Sequence, residues 1–282
     1  MTLFIKNVKF KGKAMNASGC YCTTSADLNA LMLSHSAAIV TKSCTFDARE
    51  GNIMPRYYEE DAFSINSTGL ANMGYKFYED MASVVKEITD KPYIMSVAGV
   101  KQGENLKILR RLHNTDIDLL ELNLSCPNLA GKPQIGYDLG ATDELLRSVY
   151  EMELVAPVGL KLPPFLDTIQ MECMSDVLRS YDVAFLTCIN SLGNGLVLNE
   201  DVKPVIAPRQ GLGGIGGSFV KPFGLANTMK FHEFLPRVPI IGCGGIKNKS
   251  DMKKYLSVGA SFVQIGTELV KKGPEIFKEF VV

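Results

Sequence analysis

The 282-residue chain is 46% hydrophobic and 21% charged, the balance of an ordinary globular protein, and its 30 basic and 30 acidic side chains leave a formal net charge of zero. That balance, with no Lys/Arg run, argues against a nucleic-acid footprint and a polybasic membrane patch. No stretch approaches the roughly 20 apolar residues of a membrane span, and the apolar N-terminus breaks at Lys6 without a signal-like core, so a soluble cytoplasmic chain is expected.

The elements read in chain order as follows. A hairpin is expected around Asn7, then a strand over 13–17 and a helix over 25–34. Strands over 37–41, 93–97, 119–124, 158–162, 184–189, 238–242 and 262–265 follow, several of them apolar without alternation, as parallel strands covered on both faces are. Between them lie amphipathic segments over 75–88, 104–113, 143–152, 168–181, 225–234 and 250–257. Asp143 and Ser250 stand at N-cap positions, and Gly259 stands as a helix stop. Eight strand–helix repeats with no linker predict a single (β/α)8 TIM barrel over residues 1–282, with a short N-terminal β-hairpin.

In such a barrel, chemistry belongs at the C-terminal ends of the strands. There the chain places Asn16-Ala17-Ser18-Gly19, Thr41-Lys42-Ser43, Asn123-Leu124-Ser125-Cys126-Pro127-Asn128, Lys161-Leu162-Pro163-Pro164 and Asn190-Ser191. Any one of these could be a solvated strand end; five at the same end of one architecture define a candidate site. Glycine clusters at 213–217, 242–245 and 266 suit either tight turns or a phosphate held on main-chain amides. Their spacing does not fit a P-loop, so a mononucleotide phosphate suits them better than a triphosphate.

Lys161 lies inside an apolar strand, where a charge is costly without a partner. Two lysines on separate strands suit a flavin, whose pyrimidine edge gains negative charge on reduction. Cys126 is open to two readings, an inert small hydrophobe or a thiolate base. The seven cysteines, Cys20, Cys22, Cys44, Cys126, Cys173, Cys188 and Cys243, form neither a disulfide framework nor a zinc cluster. His35, His113 and His232 fall in helical segments, which speaks against a histidine triad or metal site.

The run from Asn123 to Gln134, NLSCPNLAGKPQ, resembles the active-site loop of the class 1A dihydroorotate dehydrogenases. Collinear matches extend over nearly the whole chain, from Asn16–Gly19 and Thr41–Ser43 through Asn66-Ser67-Thr68-Gly69-Leu70, Gly159–Pro164, Asn190-Ser191 and Gly213–Gly217 to Gly244-Gly245 and Gln264–Thr267. The resemblance implies an oxidoreductase of pyrimidine biosynthesis that converts dihydroorotate to orotate, a cytosolic homodimer passing electrons to fumarate and so forming succinate. It makes Cys126 the base at substrate C5, while hydride leaves C6 for the flavin.

It further implies FMN held by Ala17, Ser18, Gly19, Lys42, Ser43, Asn123, Lys161 and Ile189, with its phosphate on Gly217, Gly244, Gly245, Gly266 and Thr267. The pyrimidine would be gripped by Lys42, Asn66, Thr68, Gly69, Leu70, Asn123, Asn128, Asn190 and Ser191, with Lys42 counted alongside Cys126 as catalytic. Cysteine at 126 sets the chain apart from the serine-bearing membrane-bound class. The continuation Gly131–Gln134 favours class 1A over the class 1B catalytic subunit, which reaches NAD through an iron–sulfur partner. A redox-silent phosphate-binding barrel is the reading from outside redox chemistry. Thr68 and Ala71 stand where the family commonly has Met and Pro.

Overall fold

The structure, a computed structural model, describes residues 3–101, 103–125 and 134–281. In chain order the strands are β1 (Leu3–Ile5), β2 (Val8–Phe10), β3 (Ala14–Asn16), β4 (Ile39–Val40), β5 (Tyr57–Glu59), β6 (Ser64–Asn66), β7 (Tyr93–Val97), β8 (Leu119–Asn123), β9 (Val158–Leu162), β10 (Leu186–Cys188), β11 (Leu192–Leu196), β12 (Leu212–Gly216), β13 (Ile240–Cys243) and β14 (Ala260–Ile265). The helices are α1 (Ser25–Leu33), α2 (Tyr75–Ile88), α3 (Glu104–Leu109), α4 (Leu139–Tyr150), α5 (Thr168–Leu178), α6 (Lys221–Phe234), α7 (Lys249–Ser257) and α8 (Thr267–Lys272).

Eight parallel strands pair in the order β3-β14-β13-β10-β9-β8-β7-β4, with helices between them, which is the expected (β/α)8 barrel. The seam between β3 and β4 is closed by a side chain. The buried Asn16 amide donates to Val40 C=O at 2.7 Å and accepts from Val40 N–H at 2.9 Å, as a neighbouring strand's peptide would. One main-chain bond, Ala37 N–H to Ala14 C=O at 2.8 Å, supports it.

The β1–β2 hairpin stoppers one end of the barrel. Ile5 and Phe10 pack with Met15, Val40, Ile94, Leu119, Phe185, Ile241 and Phe262, residues near the strands' N-terminal ends. Phe10 meets Phe262 with ring centroids 4.5 Å apart. In this layer β9 presents Gly159, where a Cβ would stand 2.3 Å from the Phe185 ring, so the bare backbone is what admits that ring. The opposite end, where the strands finish, is left for a site.

Over that end lies a second, antiparallel sheet in the order β11-β12-β6-β5, which the sequence reading does not foresee. Its strands come from the segments after β4 and after β10. Gly195 and Gly213 let them approach closely: a Cβ on Gly195 would lie 2.3 Å from Ile215, and one on Gly213 would lie 2.6 Å from Asn66 C=O. The short helix α8 is also unforeseen.

Two expected caps are corrected. Helix α4 is capped by Asp138, which accepts from Ala141 N–H at 2.9 Å; Asp143 instead lies within the helix, paired with Arg147. Helix α7 is capped by Asn248, which accepts from Asp251 N–H at 3.1 Å, two residues ahead of Ser250. Both true caps lie upstream of the expected ones because the helices begin before their apolar periodicity does. Gly259 does follow α7, with φ +105°, and a Cβ there would meet the His232 ring at 2.3 Å.

Candidate active site

Consecutive strand ends converge on one cavity of about 370 Å³ at the end of the barrel opposite the hairpin. The segment after β3 supplies Ala17, Ser18 and Gly19; that after β4 supplies Lys42 and Ser43. From β6 and its continuation come Asn66, Thr68 and Leu70, from β8 Asn123, from β9 Lys161, and from beyond β10 Ile189, Asn190 and Ser191. The glycine end is lined by Gly217, Gly244, Gly245, Gly266 and Thr267.

Gly69 does not itself line the cavity. It and Leu70 take φ +67° and +56°, and a Cβ on Gly69 would strike Asn52 Oδ1 at 2.5 Å, so Gly69 makes the turn that presents its neighbours. Cys126 and Asn128 lie outside the described residues.

The polar floor is pre-set by a chain of short contacts. Ser43 Oγ lies 3.0 Å from Ser18 Oγ, 2.9 Å from Ser96 Oγ and 3.2 Å from the Asn123 amide nitrogen that donates to it. Asn123 Oδ1 accepts from both the Ser125 amide and its hydroxyl at 3.0 Å. Asn190 donates to Ser125 Oγ at 2.9 Å, and its own Oδ1 accepts from Ser191 N–H at 2.8 Å. Neither amide can flip without setting donor against donor, so both arrive oriented. Lys161, 5% exposed, donates to Gln264 Oε1 at 2.8 Å. The Lys42 ammonium stands 3.3 Å from the place a Gly19 Cβ would occupy.

At the other end the backbone is bare. Gly217, Gly244 and Gly245 take φ +78°, +130° and +65°. A Cβ on Gly217 would lie 2.7 Å from Phe63 Cα, and one on Gly245 would lie 2.6 Å from Gly217 C=O. Thr267 Oγ1 is 2.8 Å from Ser64 Oγ, which ties the upper sheet to this cradle. Beside the expected residues, Cys20, Tyr57, Ser64, Gly216, Val220, Cys243 and Val270 also line the cavity. Tyr57 sits on β5 opposite Asn66 and donates to Glu59; burial holds its phenol far above the ordinary range. No sequence signal marked it, because it lies in a stretch without clear periodicity.

Four of the described cysteines are held as thiols by burial. Burial pushes Cys20 up to about 11, partly offset by the Lys42 charge, and Cys22 up to about 12. Burial raises Cys44 and Cys188 further. None of these four is a base at neutral pH.

The residues present fit FMN. A cradle of bare backbone, in which Gly217 and Gly245 leave no room for a Cβ, suits a phosphate, and a cation with oriented amides at the far end suits a flavin ring and a second planar ring. Gly245→Ala is therefore expected to weaken FMN binding at least about tenfold, since the new methyl must displace Gly217 or abandon a positive φ. A fluorescence titration of apoprotein that gives an unchanged Kd would remove this cradle from FMN binding.

A (β/α)8 barrel with such a cleft at its strand ends has the build of an FMN-dependent oxidoreductase. The family model for dihydroorotate dehydrogenase matches residues 1–281, and the chain belongs to that family. A dihydroorotate dehydrogenase A (fumarate) of Lactococcus lactis subsp. cremoris (strain MG1363) is 41% identical over 280 residues, 98% of this chain and 90% of its own length. The protein of the same name from Lactococcus lactis subsp. lactis (strain IL1403) is 40% identical over the same span. A Streptococcus agalactiae relative (strain NEM316) is 43% identical over 277 residues, 97% of this chain and 89% of its own. The sequence motifs and the relatives thus agree on class 1A.

Proposed function

We propose that the chain oxidises dihydroorotate to orotate with FMN and returns the electrons to fumarate. The observation that carries this reading is one cavity joining a glycine cradle to a floor of oriented amides and two lysines. Bound in this cleft, FMN would supply the acceptor for the hydride that leaves substrate C6. Everything else falls to the chain's own side chains.

Lys42, Asn66, Asn123, Asn128, Asn190 and Ser191 hold the imide and carboxylate of the pyrimidine, with main-chain groups of Thr68, Gly69 and Leu70 closing over it. The fixed directions of Asn123 and Asn190 mean that little reorganisation is left for substrate binding. Cys126 removes the proton from C5. Ala17, Ser18, Gly19, Lys42, Ser43, Asn123, Lys161 and Ile189 seat the flavin, and Gly217, Gly244, Gly245, Gly266 and Thr267 seat its phosphate. A single barrel domain, a homodimer and a cytoplasmic location belong to the same reading.

Anaerobic mixing with dihydroorotate tests it: the yellow protein should bleach, then recover on addition of fumarate but not NAD. Bleaching without recovery on fumarate would point to the class 1B type, which needs its iron–sulfur partner to reach NAD, and no bleaching would leave a barrel without this activity. Lys161→Ala is expected to weaken FMN binding or slow its reduction, because negative charge developing on the ring loses a buried cation. Unchanged FMN affinity together with an unchanged single-turnover rate would sink that role for Lys161.

A further inference from the structure

Below the floor of the cleft the barrel interior holds a second charge. Glu121 on β8 is fully buried, and its Oε2 accepts from Thr187 Oγ1 and from Gln264 Nε2, each at 2.8 Å. Gln264 Oε1 in turn accepts from Lys161 Nζ at 2.8 Å. Among the described residues, Glu121 Oε1 has no hydrogen-bond partner.

An ammonium only donates, so Lys161 must take the oxygen of Gln264, and the Gln264 nitrogen must then point at Glu121. The amide is therefore read in one direction, cation to anion. A dry carboxylate with one bare oxygen is costly, and a well-packed apolar residue would fill the space at lower cost. A direct Glu121–Lys161 pair would draw the ammonium down and spend its donors inside the barrel. With Gln264 interposed, Lys161 keeps its place on the cavity wall.

We propose that Glu121, acting through Gln264, is a positioning residue for Lys161, fixing the ammonium at the floor of the cleft and setting the net charge that a bound flavin meets. This rests on the FMN reading of the cleft. It predicts that removing the carboxylate charge leaves Lys161 uncompensated, which favours the reduced, more negative flavin.

The test compares the midpoint potential of FMN bound to Glu121→Gln with that of FMN bound to the wild-type protein at one fixed pH. The ratio of reduced to oxidised binding should rise at least about tenfold, a positive shift of about 30 mV for a two-electron couple. An unchanged potential overturns the proposal. Apoprotein stability gives a cofactor-free readout: Glu121→Gln and Lys161→Met should each lower Tm, and the double variant should recover at least half of the summed loss. Additive losses overturn the proposal. If Glu121→Gln does not fold, the double variant decides, with recovered folding supporting the coupling and continued failure overturning it. Should the wild-type protein bind no FMN, the reading of the cleft fails, and the apoprotein cycle still judges the Glu121–Lys161 coupling.

Discussion

With serine at position 126, the protein is expected to keep its FMN while dihydroorotate reduces it about 10²- to 10⁴-fold more slowly at neutral pH, the usual worth of a positioned general base. A thiol with an ordinary pKa near 8.5 needs little tuning to supply thiolate near neutrality, whereas a serine hydroxyl has no comparable basic form. Four other cysteines offer no substitute. Cys20 and Cys22 are pushed up to about 11 and about 12 by burial, and Cys44 and Cys188 are raised further. Apart from Asn123, the FMN contacts proposed here lie on other strand ends, so the cofactor should stay. Anaerobic stopped-flow mixing, following flavin absorbance in a single turnover, reads the effect directly. A rate equal to wild type would take Cys126 out of the base role.

The barrel was legible because parallel strands buried on both faces read as short apolar runs, and all eight such runs are barrel strands. The second sheet was not. The sequences of β11 and β12, LGNGL and LGGIG, carry the glycines that close packing there demands, and the same glycines look like loops. The caps are hidden for a related reason, since Asp138 and Asn248 precede the apolar pattern that marks each helix.

Within the site, Lys161 was conspicuous as a charge in an apolar strand, but its partner was not. Glu121 sits in LLELN, where it resembles a polar interruption, and Gln264 lies far along the chain on β14. Nothing in sequence spacing ties the two together; only the closed barrel does. Asn16 shows the converse. It stands in the motif that resembles a flavin-binding turn, yet its side chain is spent on the barrel seam while Ala17, Ser18 and Gly19 line the cavity.

That assignment makes Asn16→Leu the most damaging single change expected for the fold. Leucine has similar bulk but neither donor nor acceptor, so Val40 N–H and C=O would lose their partners in a buried seam. Each orphaned group costs about 1–3 kcal/mol, for a loss of roughly 2–6 kcal/mol. Against a typical domain stability of about 5–15 kcal/mol, that is a large fraction. Urea unfolding should show a lower midpoint with an unchanged slope, the mark of lost stability rather than an altered denatured state. FMN affinity should fall in parallel, since β3 runs directly into Ala17–Gly19 on the cavity wall. A loss below about 1 kcal/mol would mean that side-chain packing and the Ala37–Ala14 bond hold the seam unaided, and that the Asn16 amide is incidental to closure.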